Sequence, residues 1–410
     1  MSLDARRILD RCDALARCSE QADGLTRVFL SPEQRAASEL VTAWMREAGL
    51  EVRIDAIGNV VGRYEGETPG RACLMLGSHL DTVRDAGKYD GMLGVITAIE
   101  CVGDLHARGR RLPFAIEVVG FADEEGVRFS VTLSGSRAVA GTFDRVALDR
   151  TDTAGTTMRE ALVIYGLDPD RVGDAARKPP DVLAYAELHI EQGPVLEALG
   201  LPVGVVTAIN GGNRFWIDVA GMAGHAGTVP MNLRRDALAA AAECTVAVER
   251  IAARIADVVG TVGRIEAYPG AVNVIPGKVR FSLDVRAPAD ETRIAAATAM
   301  CEEFESIAAR RGVAISAMPV WDARTATCAP QLQRQFADAI HAEGFSVHHL
   351  PSGAGHDGMA VCAIAPIAML FVRCAGGISH NPAEAVTLAD VDSGARVLAR
   401  FIEHFEAPSR

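Results

Sequence analysis

Apolar, strand-like runs alternate with helical stretches through the first half of this chain, and that rhythm limits what it can fold into. An amphipathic stretch runs from Ser31 to Glu47, strands lie near Glu51 to Arg63 and Ala72 to Ser78, and a helical run covers Met92 to Ala107. Phe114 to Phe121, Val182 to Glu187 and Val203 to Ile209 are again strand-like. Such alternation predicts an α/β domain on a mostly parallel sheet, whose ligands gather outside the carboxyl ends of the strands. From about Asn213 the order becomes strand (RFWIDVAG), helix (Asn232 to Ile255), two strands (VVGTVGRIEAY and KVRFSLDVRA), helix (Asp290 to Arg311) and strand (VAISAMPVW). That is the β-α-β-β-α-β order of a ferredoxin-like split motif. The α/β pattern then resumes with a helix near Gln331 to Ala342, the strand PIAMLFV and a closing helix near Asp390 to His404. The expected organisation is a discontinuous catalytic domain, 1–211 with 325–410, and an inserted α+β domain, 212–324, acting as a lid.

A length of 410 residues suits two cores better than one. The net charge of −12, with no block of lysine and arginine, argues against nucleic acid or an anionic membrane as partner and leaves a small molecule. Nine scattered cysteines, none spaced C-x-x-C, read as free thiols of a reducing compartment. The opening MSLDARRILDRCDALARC lacks the apolar stretch of a signal peptide, and the longest apolar run, Val361 to Val372, contains Pro366 and is too short to span a bilayer. A cytoplasmic protein is expected.

The segment LMLGSHLDTVRDAGKYDGMLG runs an apolar strand directly into His79, Asp81 and, after a short loop, Asp90. His79 and Asp81 share a face if the strand continues, and Asp81 can then accept a hydrogen bond from the imidazole N–H that is not on a metal. Asp90 stands where a helix should begin, as its N-cap or as a ligand. In IEVVGFADEEGVRF a second apolar strand ends in Asp123, Glu124 and Glu125. Adjacent side chains diverge, so one carboxylate can bind a metal while its neighbour reaches a water; a solvated acidic loop is the alternative. AYAELHIEQGPVLE adds His189, Glu191 and Gln192, and GISHNPAEA adds His380. A lone histidine reads more often as a core or surface residue than as a ligand. Together, however, His79, Asp90, Glu125, His189 and His380 supply three imidazoles and two carboxylates without sulfur. That set suits divalent Zn or Mn, and also Co or Ni; two such ions sharing one carboxylate would leave an activated water between them.

At this point the chain resembles the M20-type metallohydrolases, and within them the branch of allantoate amidohydrolases, N-carbamoyl-L-amino-acid hydrolases and yeast-type beta-ureidopropionases. The likeness covers nearly the whole chain through G-S-H-L-D-T-V, K-Y-D-G, D-E-E-G-x-R-F, E-L-H-I-E-Q-G, G-H-A-G-T-x-P-M, N-V-I-P-G and G-I-S-H-N-P-A-E. E-L-H-I-E-Q-G discriminates most, because peptidase relatives usually carry a carboxylate where His189 stands. The resemblance implies a zinc-peptidase-like catalytic domain, a lid that also serves dimerisation, and two metal ions bridged by Asp90. His79 and His189 would hold one ion, Glu125 and His380 the other. Glu124 would be the general base and Asp81 would hold His79 in place.

The same resemblance gives His225 in AGHAGTVPM the part of an oxyanion-stabilising histidine, commonly supplied by the partner subunit of a homodimer; otherwise it is a loop residue between glycines. Asn273 in AVNVIPG and Arg286 in SLDVRAP resemble contacts to the substrate carboxylate and carbonyl, or else are structural. Gln192 and the SGAGHDG loop, with Gly355, His356 and Asp357, would line the pocket. Arg214 matches an arginine of allantoate amidohydrolases and favours allantoate, cleaved with release of ammonia and CO2. GLPVGVVTAI and LDPDRVGDAARKP read more like carbamoylases, so an N-carbamoyl-L-amino-acid hydrolase or beta-ureidopropionase is the alternative. A metal-binding protein of this fold without activity ranks lower, since neither Glu124 nor any ligand is missing, and an M20-type aminopeptidase, also ranked lower, is the reading a substrate assay would separate. A serine hydrolase is disfavoured because the chain has no G-x-S-x-G elbow.

Overall fold

Residues 3–408 are described by a computed structural model. They fall into two units, the first running to Thr207 and resuming in Cys328–Leu350 and from Ala354 onward, the second formed by Ala208–Thr327 with Pro351–Gly353.

In the first unit α1 (Ala5–Ala16) starts behind Asp4, whose carboxylate accepts the amides of Arg6 and Arg7, and α2 (Pro32–Glu47) starts behind the Ser31 hydroxyl with proline in its first turn. β1 (Glu51–Ile54) and β2 (Val60–Tyr64) form an antiparallel hairpin. Its turn is fixed by the Asp55 carboxylate, which accepts the amides of Ile57, Gly58 and Asn59. β3 (Cys73–His79), α3 (Met92–Ala107) and β4 (Ala115–Phe121) make a parallel crossover, and β5 (Val182–Ile190) and β6 (Val203–Ile209) follow. The sheet order is β1-β2-β4-β3-β5, then the strand Ile367–Val372, then β6.

This sheet is mixed, which corrects the expectation of a mostly parallel one. β4, β3, β5 and Ile367–Val372 are mutually parallel, whereas β1 with β2, β2 with β4, and β6 with Ile367–Val372 are antiparallel. The physical reason lies in the connections. A hairpin can join β1 and β2 only antiparallel, and α3 provides the crossover that parallel β3 and β4 need. β2 with β4 and β6 with Ile367–Val372 pair strands distant in sequence, whose direction no short connection fixes. The parallel strands are buried along their length, as strands covered on both faces must be, and β1 at the edge is largely exposed. α3 lies so close to β5 that a Cβ on Gly94 would come within 2.1 Å of the Leu188 carbonyl oxygen. The stretch after Asp123, to which sequence periodicity assigns nothing, holds the helices Ser134–Val139 and Met158–Tyr165, the latter opened by a capping box of Thr157 and Glu160. They cover a second apolar cluster around Phe29, Phe129, Leu148 and Leu162.

The second unit has its own core, built on Ile217, Val219, Phe281, Met300 and Phe304. β7 (Gly211–Ala220) pairs along its length with Lys278–Ala287 on one side and Ala314–Ala323 on the other, and Ile265–Tyr268 extends the sheet, every pairing antiparallel. Helices Ala237–Ala252 and Asp290–Arg311 pack on it. The first of these starts later than the expected Asn232 because the Asp236 carboxylate caps it, accepting the amides of Leu238 and Ala239, and it ends at Ala252 rather than Ile255. A separate two-stranded ribbon joins Gly224–His225 to Val274–Ile275. Among the described residues, no helix is long and apolar enough to cross a membrane.

Candidate metal centre

The parallel strands deliver their side chains to one end of the sheet. His79 ends β3 opposite Phe121 at the end of β4, and His189 lies near the end of β5 opposite Phe371. The His79 Nε2 is 3.6 Å, and the His189 Nε2 3.1 Å, from Asp90 Oδ1. On the other side of the same carboxylate, His380 Nε2 lies 3.2 Å from Asp90 Oδ2 and 3.5 Å from Glu125 Oε1. The result is two triads that share Asp90, His79-Asp90-His189 and Asp90-Glu125-His380, each with its donor atoms within 4.8 Å of one another. Asp90 is not a cap. Gly91, at φ 72°, is the residue that precedes α3, and no side chain caps that helix. The Asp90 carboxylate is thus left facing the imidazoles, and it is buried.

Backbone carbonyls set the imidazole tautomers. Nδ1 of His79 lies 2.9 Å from the Asp81 carbonyl oxygen, and Nδ1 of His189 lies 2.9 Å from that of Ile190. An Nδ1–H donated there turns Nε2 into the triads, where it can hold a cation or, when protonated, donate to Asp90. The role expected of the Asp81 carboxylate is therefore filled by its main chain, which is the nearer acceptor. The carboxylate itself is 3.7 Å from His79 and accepts the amides of Glu124 at 2.9 Å and Glu125 at 3.1 Å. One residue fixes both the ring of His79 and the acidic turn after β4. Glu124 joins His79 and Glu125 in a further group of donors within 4.8 Å.

One support went unnoticed in the sequence. Glu384 is buried, and its carboxylate accepts the amides of Tyr89 at 2.9 Å and Asp90 at 3.1 Å while taking the Ser379 hydroxyl at 2.9 Å. It ties the loop of Asp90 to the loop of His380; its place in the H-N-P-A-E run was the available signal. Gln192 Nε2 lies 3.2 Å from Asp90 Oδ2, and both Gln192 (φ 57°) and His380 (φ 53°) adopt left-handed backbone. His356 and Asp357, of the loop expected to line the pocket, are buried, and the His356 ring packs edge-on against His189 with centroids 4.4 Å apart. Gly355 faces Glu124, since a Cβ there would sit 3.7 Å from Glu124 Oε1.

The electrostatics follow from burial of many acids with few bases. Among the described residues, no lysine or arginine pairs with Asp81, Asp90, Glu124 or Glu125; imidazoles are the only basic partners. Burial, then the charge of Glu125, pushes the Glu124 carboxyl well above its ordinary range. Burial likewise pushes Glu125 up to about 7, against the pull of His79. Burial disfavours the Asp90 carboxylate too, yet bonds from His189, His380 and His79 outweigh it and hold Asp90 well below the usual range. Uncompensated buried carboxylates are costly unless paired or set on a cation. The donor set, three imidazoles and two carboxylates in two triads sharing one member, fits divalent cations of the borderline class.

The remaining sequence-nominated residues belong to the second unit and form two groups. His225 and Asn273 meet on the ribbon, where the Ala226 amide donates to the Asn273 carbonyl at 2.9 Å and the Gly227 amide to His225 Nδ1 at 3.0 Å; both side chains are exposed. Arg214 and Arg286 meet on the sheet, each with Nε on the Asp284 carboxylate, at 2.7 and 2.9 Å.

The pattern of peptidase family M20/M25/M40 matches residues 75–404. The N-carbamoyl-L-amino acid amidohydrolase of Geobacillus stearothermophilus is 44% identical, over 97% of this chain and 97% of that protein. The allantoate deiminase of Arabidopsis thaliana is 39% identical, over 96% of this chain and 81% of that one. Among solved structures, an amidase of the hydantoinase/carbamoylase family from Burkholderia multivorans superposes with a TM-score of 0.92 at 33% identity, covering 99% of each chain. Since both the family pattern and full-length relatives match it, the chain belongs to peptidase family M20/M25/M40.

Proposed function

We propose that this protein is a metal-dependent amidohydrolase that cleaves the ureido C–N bond of a small carboxylate, with allantoate as the favoured substrate. The observation that carries the reading is the membership of Asp90 in two triads that together bring three imidazoles, those of His79, His189 and His380, to one carboxylate. Two divalent ions, zinc or manganese, held by His79, His189 and Asp90 and by Asp90, Glu125 and His380, would supply Lewis acidity toward the ureido carbonyl and toward water. Glu124, buried beside Glu125, takes the proton of the attacking water and passes it to the leaving nitrogen, the work of a general base that turns acid. Asp81 keeps that turn and His79 in register through its carboxylate and its carbonyl. His225, from its own or a partner subunit, donates to the carbonyl oxygen as it gains charge. Arg286 and Arg214 meet the substrate carboxylate, Asn273 its carbonyl, and Gln192 and Gly355 shape the wall near Asp90 and Glu124.

The second reading, an N-carbamoyl-L-amino-acid hydrolase, is favoured by the 44% identity to a protein of that name. We place the enzyme in the cytoplasm, as its nine unpaired thiols suggest. We assign it a homodimer through the lid unit, whose edge strand Ala314–Ala323 exposes Met318, Val320 and Trp321. Ammonia release from allantoate, ureidoglycolate and several N-carbamoyl amino acids, after chelation and re-addition of zinc or manganese, tests the assignment. Peptide turnover without ammonia release would overturn it.

A further inference from the structure

A cavity of about 570 Å³ in the second unit is lined by Arg214, Phe215, Trp216, Ser282, Asp284 and Arg286, among others. Its charged members form one construction. Arg214 and Asp284 are directly opposite on paired strands, and Arg286 is two residues beyond Asp284 on the same face. Arg286 places Nε on Asp284 Oδ1 at 2.9 Å and Nη2 on Oδ2 at 3.3 Å, while Nη1 donates to the Gly353 carbonyl at 2.8 Å. A guanidinium carries two hydrogens on each terminal nitrogen, so Arg286 keeps one free donor on each. Arg214 sets Nε on Asp284 Oδ2 at 2.7 Å, and its guanidinium lies over the Trp321 ring, 4.6 Å from the centroid. Two guanidiniums against one carboxylate leave a single positive charge on the wall of the cavity.

We infer that Asp284 is a specificity-determining residue, which orients both arginines and sets the charge of this cavity so that it accepts a ligand with one carboxylate and discriminates against one with two. The inference rests on the proposed function for the identity of the ligand, a ureido monocarboxylate. Its physical basis is independent of that function. A second ligand carboxylate would approach Asp284 itself, in a partly buried setting where like charges are poorly screened. Without Asp284 the same wall would carry two positive charges and favour a dianion.

Tryptophan fluorescence of the full chain reads the site directly, because Trp216 lines the cavity and Trp321 stacks on Arg214. The probes are N-carbamoylglycine, a monoanion, and N-carbamoyl-aspartate, a dianion. The native protein should bind the monoanion more tightly, Asp284→Asn should move the ratio of dissociation constants about tenfold toward the dianion, and Asp284→Glu should restore it. A ratio that stays within about twofold in Asp284→Asn would overturn the inference. So would a native protein that binds the dianion more tightly or binds neither probe, a result that needs no folded variant. Charge selectivity of the expected sign without ammonia release would support the inference and remove the hydrolase assignment.

Discussion

The Glu384 carboxylate accepts the backbone amide of Asp90 at 3.1 Å, so the shared member of both triads is positioned from the loop that carries His380. Burial, then the charge of Asp90, pushes the Glu384 carboxyl up, and a glutamine there would keep a carbonyl oxygen to accept the amides of Tyr89 and Asp90. Glu384→Ala should weaken metal affinity about 10–100-fold, measured by chelator competition, while Glu384→Gln should recover most of it. Equal losses in the two variants would show that packing, not hydrogen bonding, is what Glu384 supplies.

Glu124 makes no ion pair among the described residues and sits beside the triads without being a member of either that contains Asp90. Glu124→Gln should keep its full complement of metal and lose at least about 10³-fold in kcat. A variant with native kcat would remove Glu124 as the base.

A Cβ on Gly91 would lie 2.5 Å from the His79 ring, at a backbone φ of 72° that side chains rarely adopt. Gly91→Ala should destabilise the fold by about 1–3 kcal/mol in denaturant unfolding and displace His79 from its triad. Unchanged stability and metal content would contradict the close packing described.

His225 stands on an exposed ribbon, its Nδ1 accepting the Gly227 amide at 3.0 Å and its backbone paired with Val274. His225→Ala should leave metal content unchanged and lower kcat about 10²–10³-fold, the loss of one oxyanion donor. A matching fall in bound metal would assign it a structural part instead.

Protons and cations should compete for the centre. Burial opposes charge on His79 and His189, yet their bonds to Asp90 outweigh it and raise both, and for His380 the bond to Asp90 is the leading cause of the rise. Below those raised values the metal-free imidazoles hold protons that a cation must displace, so affinity should climb as pH rises and level off above them. Isothermal titration in buffers of different ionisation enthalpy should register proton release on binding, and an affinity flat from about pH 6 to 9 would contradict the scheme.

Much of this was legible in the sequence for a simple reason. β3 and β4 are apolar runs that stop at polar residues, so their ends, and with them His79 and the turn through Glu125, could be located without knowing the fold. α3 was found at its observed bounds because apolar residues dominate it, with only Thr97, Glu100, Asp104 and His106 between them. The sheet's mixed character was not legible, since strand direction depends on which neighbour pairs with β2 and with β6, a long-range choice. Nor could spacing tell that the Asp81 carbonyl, rather than its carboxylate, would meet His79; that depends on where β3 ends and the chain turns. Glu384 escaped because its targets are main-chain amides almost three hundred residues earlier, and amides leave no trace in a side-chain pattern.

Two of the side chains that converge on Asp90, those of Gln192 and His380, hang from torsions that only glycine occupies at no cost. Each such torsion costs on the order of 1–3 kcal/mol, so glycine at either position should yield a sturdier but catalytically poorer molecule. The centre is thus held ready by conformations that an unconstrained chain would abandon, and evolution toward greater robustness would meet its resistance first at these two points.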